Sequence, residues 1–177
     1  MTFMLARDEI VLIVDKENNE AGSASRHEMR AKGLPHRATY ILVFNSKDEL
    51  FIQKRTMIKD IYPGYFDIAA GGVVLAGETY DESARREVAE ELGIRDAKLT
   101  PHFTFFYADG SNKVWGRVYS CIHDGKLSLQ PEEVESGFFC LPTEILTLSK
   151  KTPFTPDGLF VLQRFLELRK KAESGNE

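Results

Sequence analysis

The chain has 177 residues, of which 42% are hydrophobic and 28% charged, a balance that predicts one globular domain. Its 23 basic and 27 acidic residues give a net charge of −4, which excludes the basic surface that tight nucleic-acid binding needs. No stretch approaches the ~20 apolar residues of a membrane helix, and the apolar run before Arg7 is too short for a signal peptide.

The first residues carry local signals for a hairpin followed by a short helix. Residues 9–14 (EIVLIV) are rich in β-formers, and a polar turn leads to a second strand near 20–24. Ser25 and Glu28 have capping-box spacing, which predicts the start of a helix. We expect residues 1–35 to be an appended hairpin and helix, because they are too few to bury a core of their own.

The middle of the chain predicts two strands and then a long helix. Residues 38–44 (ATYILVF) are typical of a buried strand, and 50–55 (LFIQKR) alternate with the period of a strand. A helix is predicted from about 79 to 92, because Thr79 begins a capping box and Gly93 stands where a C′ glycine belongs.

The last third of the chain adds three strands and two helices. These are strands at about 97–107, 113–122 and 137–141, a short helix from Pro142 and an amphipathic closing helix over 155–172. Strands mixed with helices predict an α/β (α+β) fold, an α/β/α sandwich around a mixed sheet, over a single domain of residues 1–177.

The predicted helix 79–92 carries three clustered carboxylates. Glu87, Glu90 and Glu91 share one arc of about 100°, which lies on the flank of the apolar stripe rather than opposite it. Hard cations such as magnesium select carboxylate oxygens, so this arc is a candidate metal site. The alternative, a solvated acidic face, becomes less attractive because the glycines at 71–72 permit close backbone approach to the helix.

Residues 72–94, GVVLAGETYDESARREVAEELGI, resemble the signature box of the Nudix hydrolases at every fixed position. Those positions are Gly72, Glu78, Arg86, Glu87, Val88, Glu90, Glu91, Gly93 and Ile94. Residues from about 36 to 145 also resemble the isopentenyl-diphosphate isomerase-like branch of this superfamily. The whole chain is similar to bacterial Nudix hydrolases of the YfcD type, including the added N-terminal segment.

The resemblance implies a role for each matching residue. Glu87, Glu90 and Glu91 would bind Mg²⁺ (or Mn²⁺) together with the carbonyl of Gly72. Glu90, Glu91 and Arg86 would be catalytic, with Arg86 orienting the glutamates and pairing with Glu78. The implied reaction is hydrolysis of a diphosphate linkage, by family habit in a nucleoside diphosphate or a derivative of one.

Two other functions stay open beside the hydrolase. Isomerase chemistry needs a cysteine before the box and an acid after the Trp-Gly pair, whereas this chain has Ala69, Ala70 and Gly71, and Arg117 follows Trp115-Gly116. A binding module without catalysis is the second alternative, because fold alone does not fix function.

Residues outside the box supply further candidates. Glu132, Glu133 and Glu135 lie on an acidic loop, and Glu133 is proposed as the general base, with a merely solvated loop as the alternative. Candidates to meet substrate phosphates are Arg37, Lys54 and Arg55, with solvent-facing charge as the equal alternative. His36 is interpreted as the first residue of a strand.

We expect the partner to be a small-molecule diphosphate, with neither nucleic acid nor membrane involved. Unpaired strand edges leave a homodimer open. Cys121 and Cys140 lack metal-type spacing, so we expect free thiols in a reduced, cytoplasmic protein.

Overall fold

The computed structural model describes residues 6–175. Within that range the strands are β1 (Ile10–Val14), β2 (Glu20–Ser25), β3 (His36–Phe44), β4 (Leu50–Arg55), β5 (Phe66–Asp67), β6 (Thr100–Ala108), β7 (Lys113–Ile122) and β8 (Val134–Cys140). The helices are α1 (Arg26–Lys32), α2 (Tyr80–Leu92), α3 (Pro142–Leu148) and α4 (Pro156–Ser174), preceded by a 3-10 turn at Ala6–Asp8. Residues 1–5, which bear on the expectation about a signal peptide, lie outside the described residues.

The strands form a branched mixed sheet. β3 is its centre: it pairs in parallel with β7 along its whole length and antiparallel with β1 and β4 at its two ends. The remaining pairs, β1 with β2, β4 with β5 and β8, and β6 with β7, are antiparallel. The predicted mixed α/β fold is confirmed.

Helices cover both faces of the sheet, so the strands alternate between two cores. On one face Leu42 and Phe44 of β3 pack with Leu162 and Phe165 of α4. On the other face Ile41, Val43 and Phe51 pack with Ala84, Val88 and Leu92 of α2. This double covering explains why the period-2 alternation of β4 does not separate buried from exposed residues: Leu50 to Gln53 are all buried.

Local capping signals place the helices where the sequence predicts them. Ser25 accepts a hydrogen bond from Glu28 N at the start of α1, and Thr79 forms the full capping box of α2. Gly33 and Gly93 close these helices in the left-handed conformation, which costs glycine little.

Two strand boundaries differ from the prediction. β6 begins at Thr100 rather than near 97, where it first meets a partner, Ser120 of β7. β8 begins at Val134 rather than near 137, because its backbone already pairs with Arg55 of β4 there.

The N-terminal hairpin is joined to the sheet and to the segment before α2. Ile13 of β1 pairs with His36 of β3, and Leu12 N donates to the carbonyl of Val74 at 3.0 Å. Among the helices of residues 6–175, none combines the length and apolarity that crossing a membrane requires.

Candidate active site

The three glutamates of the acidic arc lie along one flank of α2, with unequal exposure. Glu87 is 7% exposed and Glu91 4%, whereas the side chain of Glu90 is 51% exposed. The helix position explains this, since the first two flank the apolar stripe of Val88 and Leu92 while Glu90 turns further outward. The site therefore holds two buried carboxylates and one at its mouth.

The glycine pair at 71–72 brings backbone against these carboxylates. Gly71 has φ +139°, and a Cβ on it would stand 2.0 Å from the carbonyl oxygen of Thr39. A Cβ on Gly72 would stand 2.6 Å from Glu87 Oε1. Gly71 N also donates to Glu91 Oε2 at 3.1 Å. Only glycine allows this segment to lie between β3 and α2.

Arg86 holds the carboxylates in place. Its Nε and Nη2 donate to Glu78 at 2.6 and 3.0 Å, a bidentate pair. Its Nη1 donates to Glu87 Oε1 at 2.8 Å and to Glu90 Oε2 at 3.2 Å. The contacts that the sequence analysis expected between Arg86, Glu78 and the glutamates are thus present, while their catalytic role stays a prediction.

The carboxylate oxygens of this site are suitable ligands for a divalent cation. Burial raises the pKa of Glu91 to about 8, and the charge of Glu87 adds to the effect. Burial also raises the pKa of Glu87 to about 7, against the opposing pull of Arg86. A cation would favour the ionised forms, and carboxylate oxygens are the ligands that Mg²⁺ prefers.

The carboxylates of the three glutamates do not converge on one point as metal ligands do. Within residues 6–175 no three acidic, histidine or cysteine side chains stand close enough together to hold an ion. Arg86 Nη1 lies between Glu87 and Glu90 instead, and the carbonyl of Gly72 accepts from Thr39 N at 2.9 Å. Binding a cation would therefore require these side chains to shift.

The carboxylates line a pocket of about 480 Å³, a size suited to a nucleotide-sized ligand. The charged side chains that line it besides Arg86 and the three glutamates are Glu9, Arg26, Arg30, Arg55, Lys59, Asp60, Asp67, Glu132, Glu133 and Asp157. A pocket that is lined by both cations and carboxylates fits an anionic substrate that binds through a metal.

Lys59 and Glu133 form an ion pair inside this pocket. Two loops meet to make it: Thr56 Oγ1 donates to Glu132 O at 2.8 Å, and Gln130 N donates to Glu91 O at 2.9 Å. The acidic loop is thus fixed to the C-terminal end of α2. The negative charge of Glu133 is close enough to raise the pKa of Glu91.

Helix α1 forms another wall of the pocket. Arg26 pairs with Glu9 at 3.1 Å, and Arg30 donates to Asp60 at 2.9 Å and to Asn112 at 3.2 Å. Arg26 lies close enough to Glu87 to lower its pKa. The appended N-terminal segment therefore contributes charge directly to the candidate active site.

Two of the predicted substrate ligands lie elsewhere. Arg37 donates to Asn18 Oδ1 at 2.9 Å and packs over the ring of Tyr80, and Lys54 pairs with Glu135 at 3.0 Å on an exposed surface. Neither lines the pocket. The predicted role of Arg37 and Lys54 as substrate ligands therefore has no support from the position of either side chain.

The remaining predicted residues are brought together. Gly72, Arg86, the three glutamates, Arg55 and Glu133 all line the pocket. His36, expected only to begin a strand, does so and also lines the pocket, where it is buried. Cys121 and Cys140 are free thiols outside it.

Sequence reasoning missed several pocket residues. Lys59 stands in the loop after β4, for which the sequence suggested no role, and Arg26 and Arg30 belong to a segment regarded as an appendage. Asp67 and Asp157 are isolated acidic residues without a motif. One signal was available: Arg26 and Arg30 stand four apart on the short helix and so share a face.

Comparison with known proteins identifies a matching family model and several similar proteins. The family model described as the NUDIX domain matches residues 34–162. Curated relatives include the Nudix hydrolase PA4841 of Pseudomonas aeruginosa, 45% identical over 90% of this chain and 94% of its own, and the Nudix hydrolase YfcD of Escherichia coli K12, 42% identical over 96% and 93%.

Solved structures share the fold. DR0079 from Deinococcus radiodurans superposes with a TM-score of 0.78 at 24% identity, covering 88% of this chain and 98% of that one. The NUDIX domain of Shewanella oneidensis NrtR, determined in complex with ADP ribose, superposes with a TM-score of 0.60 at 13% identity, covering 81% and 98%.

Proposed function

The chain belongs to the Nudix hydrolase family, and from that premise we propose that it is a magnesium-dependent hydrolase of a diphosphate linkage in a nucleoside diphosphate or a nucleoside-diphosphate-linked small molecule. Members of this family generally hydrolyse nucleoside diphosphate-linked substrates with the help of divalent metals. The observation that carries the proposal is the carboxylate flank of α2. It lines a pocket of about 480 Å³ that several cationic side chains also line.

Glu87, Glu90 and Glu91 would hold the cation, with the carbonyl of Gly72 beside them. A bound magnesium ion would neutralise the diphosphate and lower the pKa of an attacking water. Arg86 would keep the glutamates aligned, since it already donates to Glu87 and Glu90. The proposal requires the glutamate side chains to shift toward a common point within the one pocket that they line.

Glu133 is our candidate for the general base. It lies on a loop fixed to α2 and faces the same pocket as Glu91. Lys59 pairs with it and would release it when the substrate phosphates attract the ammonium. A positioned carboxylate that takes a proton from water typically contributes about 10²–10⁴-fold to a rate.

Arg55, Lys59 and Arg26 are the cations best placed to meet the diphosphate. Each lines the pocket and each has a single acidic partner within the described residues: Asp67, Glu133 and Glu9 respectively. Of the three strand residues expected to meet substrate phosphates, Arg55 is the one that lines the pocket.

The alternatives have less support in the pocket. Ala69 and Ala70 line it where an isomerase would need its cysteine, and Arg117 packs against the rings of Tyr80 and Tyr119. A binding module without catalysis would not need the complete set of box glutamates. Loss of those residues is the ordinary sign of a Nudix-fold protein that only binds.

Turnover of a panel of nucleoside diphosphates and nucleoside-diphosphate conjugates with Mg²⁺ tests the proposal. We expect two phosphorylated or phosphate products from at least one substrate, and a large loss in Glu90→Gln. Glu135→Gln is the matched control, since Glu135 pairs with Lys54 outside the pocket. A panel without turnover, together with demonstrated metal binding, would favour the binding module; conversion of isopentenyl diphosphate would favour the isomerase.

A further inference from the structure

A second polar cluster lines the same pocket, and the proposed function uses only its arginine. It consists of Asp67 of β5, Asp157 in the first turn of α4, Tyr40 of β3 and Arg55 of β4. Tyr40 donates its hydroxyl to Asp157 Oδ2 at 2.7 Å, and Arg55 Nη1 lies 3.5 Å from Asp67 Oδ2. We call these four residues the aspartate end of the pocket.

Asp157 has one buried oxygen without a donor. The residue is 8% exposed, and its Oδ1, like Arg55 Nε, has no hydrogen-bond partner within residues 6–175. A buried carboxylate oxygen without a donor is costly, and native structures normally supply one. Because Asp157 lines the pocket, a bound molecule is the natural source of that donor.

Asp67 lies near enough for its charge and that of Asp157 to influence each other. Burial raises the pKa of Asp67 to about 6, with Arg55 opposing the effect and Asp157 adding to it. Burial likewise raises the pKa of Asp157. A hydrogen-bond donor placed between the two carboxylates would favour their ionised forms.

Charge separates the two ends of the pocket. At the aspartate end the carboxylates of Asp67 and Asp157 outnumber the one guanidinium of Arg55, so Arg55 meets only a phosphate that approaches from the glutamate end. Near the glutamates of α2, Arg26 and Lys59 are close enough to lower the pKa of Glu87 and Glu91 respectively. The proposed metal site is also there, so the diphosphate belongs at the glutamate end, and the group attached to it extends toward Asp157.

Small side chains shape the wall between the ends. Ala38 of β3 and Ala69 and Ala70 of the segment after β5 line the pocket with Val114 of β7. These side chains are short and apolar, and Tyr40 lines the same pocket. A planar heterocycle with N–H donors at its edge suits both this apolar lining and the unpaired oxygen of Asp157.

We propose that Asp157 and Asp67 form a specificity subsite for an amino-bearing nucleobase, of the cytosine or adenine type, attached to the diphosphate. This inference rests on the proposed diphosphate hydrolase function. The exocyclic amine donates to Asp157 Oδ1, with Asp67 as the second acceptor. Uracil and hypoxanthine place a carbonyl oxygen where that amine stands, so the carboxylates disfavour them.

Equilibrium binding of nucleoside monophosphates tests the subsite apart from hydrolysis, because these ligands have no diphosphate linkage to cleave. We expect calorimetry to show wild-type protein binding CMP at least about 10-fold more tightly than UMP, and AMP more tightly than IMP, since a lost buried hydrogen bond is worth about that much. Asp157→Asn should abolish or invert this preference, because its amide can donate to a carbonyl.

The controls separate recognition from folding. Asp96→Asn changes an exposed carboxyl outside the pocket and should keep the preference. Asp67→Asn provides a second variant if Asp157→Asn fails to fold, as judged by thermal unfolding. Equal affinities within both pairs, absence of binding by every monophosphate, or an unchanged preference in folded Asp157→Asn and Asp67→Asn would overturn the proposal. A monophosphate preference without diphosphate turnover would support the subsite and count against the hydrolase.

Discussion

The guanidinium of Arg86 donates to both carboxylate oxygens of Glu78, at 2.6 and 3.0 Å, while its remaining Nη1 reaches Glu87 and Glu90. One side chain thus ties the loop before α2 to the glutamates on α2. Arg86 and Glu78 stand eight residues apart, so the tie bridges the start of the helix. The alignment of the candidate metal ligands depends on this fork.

Arg86→Lys is expected to weaken the apparent affinity for Mg²⁺ by about 10–100-fold, the range typical of residues that orient metal ligands. A lysine keeps the charge but cannot make the bidentate contact to Glu78. Activity measured across a magnesium titration gives the shift. Arg85→Lys, an exposed neighbour on the same helix, should behave as wild type. Identical magnesium dependence in all three proteins would contradict an orienting role.

Gly72→Ala should reduce activity more than stability. The added Cβ would stand 2.6 Å from Glu87 Oε1, so the carboxylate must move away from the backbone. Gly110→Ala is the matched control, since a Cβ there meets nothing within 4 Å. Steady-state kinetics and thermal unfolding of both variants check the prediction. Full activity in folded Gly72→Ala would show that the position of Glu87 is not critical.

Gly71→Ala should instead lower the free energy of unfolding. Its Cβ would stand 2.0 Å from the carbonyl of Thr39, at a φ of +139° that other residues rarely adopt. We expect a loss of several kcal/mol in the free energy of unfolding, since backbone strain of about 1–3 kcal/mol adds to the clash. Denaturant unfolding beside Gly110→Ala measures it; a loss within error of the control would be contrary to this geometry.

His36 should make the free energy of unfolding depend on pH below neutrality. Burial, with the charge of Arg30 adding to it, lowers the pKa of His36 from 6.5 to about 4. The unfolded chain then binds the proton more readily, so stability is complete above about pH 6.5 and falls as the pH drops toward 4. At pH 5 the protonation of His36 should lower the free energy of unfolding by about 2 kcal/mol relative to neutral pH.

His36→Gln isolates this effect from that of the carboxylates. The difference in unfolding free energy between wild type and His36→Gln should change by about 2 kcal/mol from pH 7 to pH 5. Titration of the imidazole resonances by NMR gives the pKa directly. The ring Nδ1 donates to Leu34 O at 3.0 Å, which the neutral form can do. An NMR pKa near 6.5 would contradict the burial argument.

Glu133→Gln should lower kcat by about 10²–10⁴-fold if Glu133 takes the proton from water. The apparent affinity for Mg²⁺ should stay that of wild type, because Glu133 is not one of the proposed metal ligands. Glu132→Gln, on the same loop and in the same pocket, should keep the wild-type kcat. An unchanged kcat in folded Glu133→Gln would assign the base elsewhere.

Local signals made much of this fold predictable from sequence. Caps such as Ser25 and Gly93 act within a few residues, so they mark helix ends without knowledge of the rest of the chain. The box residues were equally readable, since their spacing on one helix determines which of them share a face. The isomerase-like branch, by contrast, stays a prediction from resemblance.

Long-range contacts were beyond the sequence. Tyr40 meets Asp157 across 117 positions and Lys59 meets Glu133 across 74, and no local pattern marks either pair. The position of Arg37 and Lys54 outside the pocket was unpredictable for the same reason. A cationic residue on a strand can face either side, and which side borders the pocket depends on how the strands assemble.

The most direct test of the central claim is ³¹P NMR of the reaction in ¹⁸O-labelled water, with wild type and Glu91→Gln compared at saturating Mg²⁺. Wild type should place one labelled oxygen on a phosphorus atom of the products. Label incorporation should fall by about 100-fold or more in Glu91→Gln. Undiminished incorporation in that variant, or incorporation that persists without a divalent cation, would contradict the assignment of the α2 glutamates as a hydrolytic metal site.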